Sequence, residues 1–161
     1  MTEKEVFIQA WEREFQTNLK VLHALPENKL EVRPDSSQHT AKDLAWSIVA
    51  EEKEFIGGGV TGSINLTNIP KPPSTLKEII ATYERAHEEN IQKVKAMTDA
   101  EFNKLVKGYS SPKFNGEIRR ADVLWGGLID AAHHRGQLSV YLGIAGAHVP
   151  QSTYAPMPMT H

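Results

Sequence analysis

Asp130-Ala131-Ala132-His133-His134-Arg135-Gly136-Gln137-Leu138-Ser139-Val140-Tyr141-Leu142 is the stretch that decides the fold, because it joins a helical apolar pattern to ionisable groups at ligand spacing. On a helix, residues three and four apart share a face, so Asp130 stands one turn before both His133 and His134. Gln137 and Tyr141 extend the face begun by Asp130 and His134, with Leu128, Leu138 and Leu142 supplying apolar contacts beside it. Polar groups carried by a core helix mark a candidate site, as in helical bundles whose sites are built from inward side chains.

Working outward, this helix is expected to begin near Arg120 and run to about Ala145, with Gly146 as its stop. Val123, Leu124, Leu128, Leu138, Val140 and Leu142 spread over several of its faces, which suits a central bundle helix or one in a dimer interface. Upstream, Phe7, Ala10, Trp11, Leu19 and Leu22 recur at helical spacing and predict a first helix from about Thr2 to Ala24, closed by Pro26. Thr40 is the expected N-cap of a second helix over Ala41 to Phe55 or Ile56, with Leu44, Ile48 and Phe55 inward and Gly57-Gly58-Gly59 as its stop. Ser47 precedes Glu51 by one turn, so a hydroxyl and a carboxylate share that face.

Gly57 to Ser74 reads as a long loop ending at the capping box Thr75-Leu76-Lys77-Glu78. The third helix runs from Leu76 to about Met97, with Ile79, Ile80, Tyr83, Ala86, Ile91 and Val94 inward and His87 on a solvated or half-buried surface. A second capping box, Thr98-Asp99-Ala100-Glu101, predicts a short helix covering Phe102 and Leu105. Tyr109 and Phe114 alternate briefly enough for a small hairpin and no sheet core. The tail, 147–161, carries prolines and is expected to be irregular.

The 161 residues suit one domain spanning 1–161. With 18 basic and 20 acidic side chains and a net charge of -2, there is no positive field to hold nucleic acid or an anionic membrane. Cysteine is absent, so thiol chemistry would require a small-molecule thiol. No signal-peptide pattern and no membrane-length apolar run is present, and the chain reads as soluble and cytoplasmic.

Several motifs together resemble the DinB-like family of four-helix-bundle proteins. They are His134-Arg135-Gly136-Gln137 in the last helix, Leu25-Pro26-Glu27-Asn28-Lys29-Leu30 with Arg33-Pro34, Leu44-Ala45-Trp46-Ser47-Ile48, and Gly146 with Val149-Pro150. The resemblance implies an all-α four-helix bundle; the residues themselves add the long connection between helices two and three and, through the apolar last helix, a homodimer. The resemblance also implies a divalent metal, zinc or nickel-like, held by three histidines, and in some members thiol-dependent transferase or isomerase activity. Carried over by position, those ligands fall on Ser47, Asp130 and His134, so two of the three depart from histidine.

Two function classes follow. In the first, a metal-dependent transferase or hydrolase acts on a small molecule, with Asp130 and His134 as ligands, Glu51 or water completing the shell, and a small-molecule thiol as possible co-substrate. A hydroxyl is a poor replacement for imidazole, and a rebuilt site through His133 would require the last helix to rotate. In the second, the metal is gone and the chain binds a small molecule or partner. Ser47, His133, Gln137 and Tyr141 are the candidate substrate contacts in either class. Ser47, His134 and Asp130 also have the residue types of a hydrolytic triad, although no strained nucleophile turn accompanies them. The plain structural alternative pairs Asp130 with His133 or His134, and gives Arg135 the role of anchoring a neighbouring segment by salt bridge.

Overall fold

The computed structural model describes residues 1–66, 69–109 and 116–151. Phe114, and the tail beyond Gln151, lie outside them. The elements are α1 (Glu3–Ala24), α2 (Ala41–Ala50), a π-helical segment (Glu51–Ile56), α3 (Gly57–Thr61), β1 (Ser63–Ile64), α4 (Leu76–Ala96), α5 (Asp99–Phe102), β2 (Leu105–Tyr109), β3 (Glu117–Arg119) and α6 (Arg120–Ile144). The molecule is mostly helical, with α1, α2 together with the π segment, α4 and α6 packed on one another.

Local chemistry sets most helix starts. The hydroxyls of Thr2, Thr40 and Thr98 each accept from the backbone N–H three residues on, and the carboxylates of Glu5, Asp43 and Glu101 reach back to the cap, completing three capping boxes. At Thr75 only half the expected box forms: its hydroxyl accepts from the Glu78 N–H and donates to the Glu78 carboxylate. The next N–H, that of Leu76, donates to the carboxylate of Glu27, which ties the turn after α1 to the start of α4.

The second helical run departs from the sequence expectation. It does not end at Gly57 but continues through the π segment and α3 to Thr61, stopping at Gly62, whose φ of 89° only glycine adopts easily. Glycine's poor helix propensity is outweighed by packing: a Cβ on Gly59 would lie 2.8 Å from Val123 Cγ1, so its absence lets α3 approach α6 closely. The connection to α4 is correspondingly shorter, and its first residues form β1. The strand pairs in parallel with β2, which pairs antiparallel with β3 through Leu105 with Arg119 and Val106 with Ile118. A three-stranded sheet thus stands where a hairpin alone was expected. Its inward side chains, Ile64 and Val106, pack with Val123 of α6. Leu105 lies on β2 and is exposed, while Phe102 is buried as expected.

Besides the small cluster under the sheet, the core has two larger apolar clusters with a polar layer between them. One holds Val21, Leu22, Leu44, Ile48, Ile79 and Leu138, and the other Phe7, Trp11, Ile56, Ile91, Phe102 and Leu124. Each of the long helical runs passes from one cluster to the other through a buried polar residue: Glu14 and Asn18 on α1, Glu52 on the π segment, His87 and Asn90 on α4, and Arg135 on α6. His87 is therefore buried, against the surface position that its charged sequence neighbours suggested. The charged groups of the layer are paired, as buried charge requires, while Asn18 Oδ1 is buried without a donor. Arg135 Nε donates to Glu14 Oε1 at 2.7 Å and its Nη2 to Oε2 at 3.1 Å, while Asn18 donates to the Tyr83 hydroxyl at 3.0 Å.

Candidate functional site

The predicted face of α6 meets the helical run of α2 where the π segment begins. Glu51 is turned to α6 and Glu52 into the polar layer. His134 Nε2 lies 3.7 Å from Glu51 Oε1, an ion-pair contact longer than a hydrogen bond, and His134 Nδ1 is 3.2 Å from Gln137 Oε1. The Glu51 carboxylate raises the pKa of His134, burial opposes this, and Gln137 and the charge of Asp130 add to the rise. Glu51 Oε2 is sealed from solvent without a hydrogen-bond donor.

The other candidate residues sit around this pair without joining it. Ser47 is half-buried and donates its hydroxyl to the Asp43 carbonyl at 3.0 Å, on its own helix. Asp130 is exposed and reaches His134 through its charge, with no hydrogen bond between them. His133 is exposed, its ring edge-on to that of His134 with centroids 5.4 Å apart. Tyr141 is buried and donates to the His39 carbonyl at 2.9 Å. Gln137 and Tyr141 line a cavity of about 210 Å³ with Pro34, Gln38, His39, Leu44 and Val140. Ser47, His134 and Asp130 are thus not linked as a triad, and among the described residues no three His, Asp or Glu side chains converge on a point that could hold a metal ion. The donors present do not make a three-ligand site.

Sequence reasoning paired Arg135 with an unspecified neighbour and overlooked Glu14 and Glu52. The signal was there for Glu14: Trp11, Glu14, Asn18 and Val21 follow helical spacing along the buried face of α1. For Glu52 the cue was its place one turn after Ile48 and one turn before Ile56 on the buried side of the second helical run.

A mostly helical molecule with His-Arg-Gly-Gln on its last helix is the class that these features define. The DinB family model matches residues 1–160, and the chain belongs to that family. Two solved structures share the fold. A DinB-like protein from Bacillus cereus is similar at 24% identity with a TM-score of 0.78, covering 93% of this chain and 97% of its own. A DinB-like protein from Bacillus subtilis is similar at 11% identity with a TM-score of 0.72, covering 92% and 99%. No curated protein matches the chain.

Proposed function

We propose that this chain is a DinB-type four-helix bundle in which a Glu51–His134 ion pair has replaced the metal centre, and that it binds a small molecule there without metal chemistry. The observation that carries the reading is Glu51 Oε2, a buried carboxylate oxygen with no donor. Leaving such an acceptor unsatisfied costs about 1–3 kcal/mol, which a ligand N–H or O–H would recover once the His134 and Gln137 side chains move aside to admit it. The ligand class is therefore a small molecule with a hydrogen-bond donor, an amine or amide, with Gln137 and Tyr141 in the neighbouring cavity as further contacts.

The outer side of α6 supports a homodimer as part of the same reading. Ile129, Val140 and Ile144 are exposed along one stripe of that helix, an apolar surface a second copy would cover. Among the described residues no helix is long and apolar enough to cross a membrane, and a net charge of -2 provides no basic field to hold nucleic acid.

Elemental mass spectrometry of protein purified without an affinity tag tests the metal-free reading, with wild type beside Ser47→His/Asp130→His. The reading expects an empty wild type and a double variant that fills, because two imidazoles are restored. A wild type with about one divalent ion per chain, lost in His134→Ala, replaces this reading by the metal-dependent transferase or hydrolase.

A further inference from the structure

The buried histidine of α4 lies away from the Glu51–His134 pair and has the organisation of a site. His87 Nδ1 is 3.2 Å from Glu52 Oε1. The other oxygen of that carboxylate accepts from Trp11 Nε1 at 2.8 Å, and the Glu52 backbone carbonyl accepts from Asn90 at 2.9 Å, so the residue is fixed on three sides. The imidazole is fixed as well, stacked on Phe15 at 3.8 Å between centroids and met edge-on by Trp11 at 4.9 Å. A carboxylate only accepts hydrogen bonds, so Nδ1 carries the proton and, in the neutral ring, Nε2 keeps its lone pair. Among the described residues nothing bonds to Nε2.

The same ring lines a cleft of about 390 Å³ between α1 and α4, together with Phe15, Ile91, Gln16 and Gln92. Its rim carries Glu12, Glu88 and Lys95, and Lys95 is already paired with Glu12 at 2.6 Å. The surplus is one negative charge, which disfavours anions. Phe15, Ile91 and the His87 ring form an apolar floor, and charged and amide side chains make up the rest of the lining, so a flat ligand can rest on the floor while its polar edge meets the rim. From these contacts we infer that the cleft between α1 and α4 is a second small-molecule site, which takes a neutral or cationic planar N–H heterocycle with its N–H on His87 Nε2. The site is independent of the reading given to Glu51 and His134.

Titration with benzimidazole, followed by NMR of the histidine ring nitrogens and the tryptophan indole N–H groups, tests this. A saturable shift is expected at His87 Nε2 and at the Trp11 indole. It should vanish in His87→Gln, and also in Gln92→Trp, which fills the cleft from its exposed rim and leaves the Glu52–His87 contact in place. In His134→Ala it should persist unchanged. The inference is overturned if His87 gives no saturable shift, if the shift survives Gln92→Trp in a folded protein, or if it is lost in His134→Ala, which would place the heterocycle at the Glu51–His134 pair.

Discussion

Glu51 and Glu52 are chain neighbours with opposite fates: one faces His134 with an unsatisfied oxygen, the other is bonded on both oxygens and its carbonyl. The first governs how His134 titrates. Its folded pKa lies above the ordinary value of 6.5, chiefly through Glu51. A raised histidine pKa means that the protonated pair contributes its full stability below that ordinary value and loses it as pH rises through the folded value. An NMR titration should give His134 a midpoint above 6.5, and Glu51→Gln should bring it down and flatten stability across the same window. An unchanged midpoint in Glu51→Gln would remove the pair from the account. A larger effect is expected at Arg135, whose loss takes the guanidinium away from the buried Glu14 carboxylate. Arg135→Met should cost about 3–5 kcal/mol in urea unfolding, and Glu14→Leu/Arg135→Met should recover most of it, because an apolar pair in place of a buried ion pair is close to neutral.

At the scale of elements, the close approach of the second helical run to α6 depends on glycines. A Cβ on Gly127 would lie 2.7 Å from Ile56 Cγ1 and 2.9 Å from Phe55 Cδ1, inside the π segment. Gly127→Ala should therefore destabilise by about 1–3 kcal/mol through overpacking, although alanine is the better helix former. A thermal melt of Gly127→Ala at or above the wild-type midpoint would show that α6 and the π segment can part without cost. The glycines of 57–59 illustrate the same rule in reverse. By propensity they end a helix, and in the folded chain they continue one, because Gly59 meets Val123 at a distance no side chain allows.

At the scale of the whole molecule, the exposed Ile129, Val140 and Ile144 of α6 predict a dimer in solution. Light scattering behind size exclusion should give twice the chain mass for wild type and a monomer for Val140→Asp, which sets a charge into the apolar stripe. A monomeric wild type at working concentration would leave the stripe without a second copy.

The sequence by itself determined most of the helices. Threonine caps, amphipathic spacing and the stops at Pro26 and Gly146 act over a few residues, so α1, α4, α5 and α6 follow from local chemistry, and the family motif on α6 is legible in the same way. Helical spacing also put His134 and Gln137 on one face. Tertiary structure decided what depends on residues far apart in the chain. Helix continuation past Gly57 rests on a contact with α6, and β1 exists only because β2 offers its edge. The pairing of Glu51 with His134, of Glu14 with Arg135 and of Glu52 with His87 was likewise set by packing. Each joins helices whose mutual rotation is fixed by the whole core.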